Sequence, residues 1–441
     1  MEGLPCSDRS IINVTKVPAS PQKLSIFDQF MASSPPIKVL LFFPTDPLDF
    51  PSIVAKLKNS LSKALMHFHP LTGRLTWSPD SNKFEITHGI IGQSSTAFIE
   101  AECDEDFGLL IKSDVHDVRV YSELVPDLRT VEGGAAMEVV SVQVTGFRGG
   151  GLAIGVSMHH VVVDGRAYWS FMKSWAEICR TGRELVAVPL LDRSAVREPD
   201  ELTRLYLKMA QLSSSTRRSD DPNKSPPSHG PLLTRKSFLL KQSFIQALKD
   251  RATSNFKDDN GGLTYVSSFV AVCAHAWVCS TQARKIPHHE KPIFYFMVDC
   301  RSLLRPPLPE NYFGNVVTPC FVEVEASQLL GENGLAFAAV TIQSAVQSAM
   351  KDPLKDCDAW PVWLAKTKEP SCSTVNVGSS PKFMKYETDF GWGKPERIEH
   401  VPRDTAGMLV LGDARDEMGG FQVCMVLPPS QMDEFSTLFM N

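Results

Sequence analysis

No apolar run in this 441-residue chain is long enough to cross a bilayer. The densest, Val39–Phe43 and Ile293–Val298, have the length of strands, so no membrane partner is expected. The opening residues, MEGLPCSDRS, lack the basic start and apolar core of a secretory signal. None of the ten cysteines stands in a CxxC pair, and Cys273 and Cys279 fall inside an apolar helical run. Neither a disulfide framework nor a zinc site is expected; the thiols read as reduced, in a cytosolic protein. A net charge of −5 gives no electrostatic ground for a nucleic-acid partner or an acidic membrane surface. The pair Arg217-Arg218 is too small to change that. GxSxG is absent, so nothing points to a serine nucleophile on a sharp turn. "RGGG" at 148–151 lacks the lysine and the strand–loop–helix context of a phosphate loop. "HHE" at 288–290 has no third metal ligand nearby.

What is present is ordinary globular composition, 43% hydrophobic and 22% charged, in a chain long enough for two domains with their own cores. Ile37–Phe43 reads as a buried strand. Between Pro51 and Phe68 the residues Val54, Leu57, Leu61, Leu65 and Phe68 recur at helical spacing, with Pro51 suited to the first turn. Met137–Thr145 and Leu152–His160 read as strands joined at "GFRGGG". Arg166–Arg180 then reads as a helix closed by Gly182. From Ser213 to Pro231, "SSSTRRSDDPNKSPPSHGP" has hardly any apolar residue and reads as a linker or loop. Strand–helix alternation resumes beyond it: "KSFLL", a nearly all-apolar helix over Val266–Val278, "PIFYFMV", and a C-terminal hairpin around Gly419-Gly420. The pattern predicts an α/β protein of two halves, 1–195 and 236–441, around a crossover at 196–235.

The chemistry concentrates in "SMHHVVVDGRAYW", residues 157–169. On an alternating strand Leu152, Ile154, Val156, Met158 and His160 share a face, which puts His160 where the apolar file ends. Burial there disfavours the charged ring, and a neutral imidazole is what a general base for an alcohol or amine must be. Spacing alone leaves a second reading, in which Asp164 only caps the helix beginning near Arg166 and His160 is a core-edge residue.

"HHVVVDG" at 159–165 together with "DFGWG" at 389–393 resembles the plant BAHD acyl-CoA-dependent acyltransferases. The resemblance extends to "LSIFDQFMASSPPIKVLLFF", "HFHPLTGRL", "YVSSFVAVCAHAWVC", "VDCRSLLRPPLPENYFGNVV" and "GSSPKFMKYETDFGWGKPERIE". It is most similar to the branch of anthocyanin and flavonoid glycoside acyltransferases, many of them malonyltransferases. The resemblance implies a two-domain, chloramphenicol-acetyltransferase-like fold with a solvent channel between the domains. Acyl-CoA would be a co-substrate, a phenolic glycoside the acceptor, and no cofactor would be needed. It implies His160 as general base and Asp164 as a carboxylate turned away from the channel, paired with Arg301. It places Asp389, Gly391 and Gly393 in a structural loop near the domain interface. Trp392 is either an oxyanion donor, as in related hydroxycinnamoyl transferases, or a buried tryptophan.

CoA-contact candidates are Ser267 and Ser268 at a helix start, where the alternative is capping, and Ser379 and Ser380 before the second motif. The chain has "YFGNV" at Tyr312–Val316 where the malonyltransferase branch usually has "YFGNC", and hydroxycinnamoyl transferases also carry the valine form. A malonyl donor needs a cation, for which Arg166 and Lys173 are the nearest candidates in sequence, unless both are solvated helix-face residues. Three functions follow: acyl transfer to a sugar hydroxyl of a phenolic glycoside, hydroxycinnamoyl transfer to a non-glycosylated alcohol or amine, or a silent CoA or glycoside binder. The resemblance implies a monomer.

Overall fold

The computed structural model describes residues 7–14, 20–46, 49–88, 94–117, 121–130, 136–216, 232–253, 265–401 and 405–441. Residues 217–231, most of the expected linker, lie outside them. The rest of the crossover contains a helix, Asp200–Thr216, whose Leu202 and Leu205 are buried in the second core.

Two large sheets carry the two halves. The first has six strands in the order Ser7–Asn13, Ser95–Cys103, Val140–Phe147, Leu152–Met158, Ile37–Phe43 and Arg397–His400. The second has seven, from Val317–Glu323 through Ile293–Asp299, Thr374–Gly378, Met408–Asp413, Phe421–Leu427 and Thr234–Leu240 to Val115–Asp117. A four-stranded sheet flanks the first half. Each large sheet thus takes its last strand from the other half of the chain, and the halves are tied by backbone as well as by packing. Glu399 on one exchanged strand is fully buried between Arg397, 2.5 Å away, and Arg235 of the second sheet.

Local sequence explains the elements. Leu152–Met158 is buried at all seven positions, as a strand paired on both edges and covered on both faces must be. Helix Phe50–His67 buries Ile53, Val54, Leu57, Leu61, Ala64 and Leu65 on one stripe in the first core. Helix Gly165–Thr181 packs beside it, burying Trp175 and Phe171, and ends at Gly182 in the left-handed region (φ 70°). On the second sheet, helix Ser268–Ala283 is apolar nearly all round and buried nearly all round. No helix among the described residues is long and apolar enough to cross a membrane, and the described cysteines are all unpaired.

Candidate active site

The strand ends at Met158, two residues before the alternation predicts, because the backbone turns at the first histidine. His159 donates its N–H to the Val139 carbonyl (2.8 Å), and its Nδ1 accepts from Val161 N–H (3.1 Å). Burial lowers its pKa to about 4, so this ring is a neutral, inward turn-former. Val161, Val162 and Val163 are fully buried and anchor the loop. His160 stands out of this turn with intermediate exposure. Its Nδ1 is buried without a partner of good geometry. Its Nε2 has no partner among the described residues and is not sealed from solvent. Burial holds the pKa below 6.5, partly offset by its own carbonyl, by Asp164 and by the Asn315 side chain, so the ring is neutral at pH 7.

Asp164 does two things at once. Oδ1 caps helix Gly165–Thr181 by accepting from Ala167 N–H (2.9 Å). Oδ2 accepts from Val316 N–H (3.1 Å) and pairs with Arg301 Nη2 at 2.8 Å, both side chains being nearly inaccessible. Arg301 also donates to the Gly314 carbonyl (2.7 Å) and to Asp299 (3.0 Å). The carboxylate points into the protein, away from the open edge of His160.

A second buried network, built from residues that motif reading passed over, holds the histidine itself. Asn315 donates from Nδ2 to the His160 carbonyl (2.8 Å) and to Asp28 Oδ1 (2.9 Å), and from its backbone N–H to the same oxygen (2.9 Å). Arg193 pairs with the other Asp28 oxygen (2.8 Å) and donates to the Val162 carbonyl (3.3 Å). Ser25 and Asp28 complete a capping box on a short helix, Ile26–Phe30. That Ser-x-x-Asp signature was visible in "LSIFDQF". Asn315→Ala is expected to lower kcat by about 10–100-fold, the cost of a reacting group misplaced by an ångström, with little change in KM for acyl-CoA. A KM-only effect in steady-state kinetics would contradict this positioning role.

The other candidates scatter. Asp389 Oδ1 accepts from Gly391 N–H (2.7 Å) and Gly393 N–H (2.9 Å), closing a loop whose two glycines have φ of 108° and 86°. That loop lies against Lys56 and Arg180, at the far end of the helix that Asp164 begins. Trp392 stacks on Phe390 and meets Phe43 edge-on. Phe43 pairs with Leu152, whereas the His160 end of that strand pairs with Ile37, six residues or about 20 Å away. The indole is therefore a packing residue and cannot donate to an oxyanion beside His160. Arg166 is held by Asp299 (3.2 Å) and faces Glu310 (3.8 Å), and Lys173 is held by Glu387 (2.9 Å). Both are already engaged in partly exposed ion pairs. Ser267 caps its helix, accepting from Val270 N–H (3.2 Å), with Ser268 as the first helical residue. Phe269 meets Phe296 at the middle of strand Ile293–Asp299. Ser380 caps a short turn, while Ser379 (φ 71°) holds a buried Oγ without a partner. Phe383, just beyond, packs on Gly165 and brings that segment to the His160 end of the helix.

The Transferase family model matches residues 7–440. The chain belongs to this family, the BAHD acyltransferases. It is 31% identical to phenolic glucoside malonyltransferase 1 of Arabidopsis thaliana, over 86% of this chain and 84% of that one. It is 30% identical to an anthocyanin 5-O-glucoside malonyltransferase of Salvia splendens (94% and 90%). An agmatine coumaroyltransferase of Arabidopsis thaliana is also 30% identical (94% and 93%). The crystal structure of vinorine synthase superposes with a TM-score of 0.69 at 22% identity, covering 97% of this chain and 96% of that one, which establishes the two-domain acyltransferase fold. This BAHD chain is an acyltransferase.

Proposed function

We propose that the protein transfers an acyl group from CoA to a sugar hydroxyl of a flavonoid, anthocyanin or other phenolic glycoside, with malonyl or hydroxycinnamoyl as the acyl group. The observation that carries this reading is the open Nε2 of a neutral His160 on a rigid, doubly anchored turn. Nε2 takes the proton of the acceptor hydroxyl as its oxygen attacks the thioester carbonyl. The tetrahedral intermediate collapses with cleavage of the C–S bond, and the imidazolium returns the proton to sulfur, leaving an ester and free CoA thiol. Acyl-CoA is a co-substrate, and the space beside His160, between the halves, is where thioester and acceptor meet. Glucoside malonyltransferases among the relatives support the glycoside acceptor.

Val316 supports a second reading, hydroxycinnamoyl transfer to a non-glycosylated alcohol or amine, as does the coumaroyltransferase relative. CoA-thiol release separates them, measured with malonyl-, p-coumaroyl-, caffeoyl- and acetyl-CoA against flavonoid glucosides, their aglycones and simple amines. Turnover on glucosides is expected. Turnover confined to aglycones or amines would establish the second reading, and CoA binding without turnover on any pair would mark a silent binder.

A further inference from the structure

Arg166 and Lys173 each face a carboxylate in a partly exposed ion pair, whereas Lys385 is a buried cation that has none among the described residues. Lys385 is 5% exposed, and its ammonium donates to the Leu411 carbonyl (3.1 Å) and to His400 Nε2 (3.1 Å). No described carboxylate lies within ion-pair distance of it. Asp413, the nearest acid on the facing strand, spends its oxygens on the backbone N–H groups of Lys385 (2.8 Å) and Tyr386 (3.3 Å). Glu399 is committed to Arg397 and Arg235. A buried ammonium with no anionic partner is costly, and an anion arriving nearby would recover part of that cost.

His400 supplies the route. Because Lys385 donates to Nε2, the neutral ring carries its proton on Nδ1. Nδ1 has no partner among the described residues, and the ring keeps intermediate exposure although it lies against Trp169 (ring centroids 6.3 Å). Trp169 is four residues, about 6 Å of helical rise, beyond Gly165, and Phe383 packs on that same glycine. The pair therefore sits at the His160 end of the helix. It lies between the exchanged strand Arg397–His400 of the first sheet and strand Met408–Asp413 of the second. Burial, with Lys385 and Arg235 nearby, keeps His400 uncharged. It is thus an N–H donor backed by an ammonium.

We propose that Lys385 and His400 form a carboxylate-reading site, in which a substrate carboxylate accepts the His400 Nδ1–H with the Lys385 ammonium directly behind it. This rests on the acyl-transfer reading above. The carboxylate comes from a dicarboxylic acyl group such as malonyl or from an acidic acceptor, and the experiment separates the two. Initial rates are measured for the full-length enzyme, Lys385→Met, His400→Phe and His400→Gln, with malonyl-CoA and acetyl-CoA on one neutral glucoside. They are repeated with acetyl-CoA on an acceptor bearing a carboxylate.

Lys385→Met and His400→Phe are expected to lower the malonyl-to-acetyl ratio of kcat/KM by about 10–100-fold, the scale of one hydrogen bond to a charged group. The loss falls mainly in KM, and His400→Gln, which keeps a donor, recovers part of it. The same loss seen only with the acidic acceptor assigns the carboxylate to the acceptor. Parallel loss for every substrate pair, or an unaltered ratio in both arms, would overturn the site. A wild-type enzyme that turns over no donor at all would instead refute the acyl-transfer reading. If a variant fails to fold, calorimetry on the wild-type protein decides: equal affinities for malonyl-CoA and acetyl-CoA, together with equal affinities for the acidic acceptor and its uncharged analogue, overturn the proposal.

Discussion

Replacing His160 by alanine is expected to lower kcat by about 10²–10⁴-fold, the usual contribution of a general base, while affinity for acyl-CoA holds. The turn that carries the ring does not depend on the side chain: Asn315 grips its carbonyl, and the three valines that follow are buried. The variant should fold, and calorimetric titration with acyl-CoA should match the wild type. The pH profile gives a second check. Burial lowers the His160 pKa from its ordinary value of 6.5, so the acid limb of wild-type kcat/KM should be centred below 6.5, and it should vanish in His160→Ala. A variant near full rate, or an acid limb centred above 6.5, would remove His160 from proton transfer.

What could be read from the letters, and what could not, divides along contact range. His160 and Asp164 were legible because strand, turn and helix cap are local, and the chemistry of each is written within a few residues. Even there the strand was read two residues long, since alternation continues through "SMHH" while the His159 ring closes a turn that no periodicity reports. Trp392 shows the opposite case. Its motif was plain, but its place is set by which end of Ile37–Phe43 it packs on, and a strand's two ends look alike in sequence. The Asp28–Arg193–Asn315 network spans 165 and 287 residues, and beyond the capping signature of Ser25 and Asp28 nothing local distinguishes those side chains from surface polar groups. Exchange of the strands Val115–Asp117 and Arg397–His400 was invisible for the same reason. The two halves read from composition are joined in space by segments lying deep within each other's sequence.

Asp164→Ala is expected to cost about 3–5 kcal/mol of stability, the range for breaking a buried ion pair by removing one partner. Activity should fall with it. The variant strands Arg301 beside the half-buried Asp299, leaves Val316 N–H without its acceptor, and uncaps the helix at Ala167. Asp164→Asn separates these effects. It keeps an oxygen for the cap and loses the charge, so it should recover roughly the ~1 kcal/mol of a cap but not the pair. Arg301→Leu in the Asp164→Asn background should be less destabilising than the sum of the two single changes, because neither partner is then left charged and alone. Denaturant titration of the wild type, the three single variants and the double variant measures this, followed by steady-state rates below the transition of each. A positioning carboxylate predicts that the rate recovers wherever the His160 loop is restored. If Asp164→Ala instead unfolds at the wild-type denaturant concentration while its rate collapses to that of His160→Ala, the carboxylate takes part in the proton transfer itself. The inward geometry of Oδ2, filled by Arg301 and Val316, argues against that outcome.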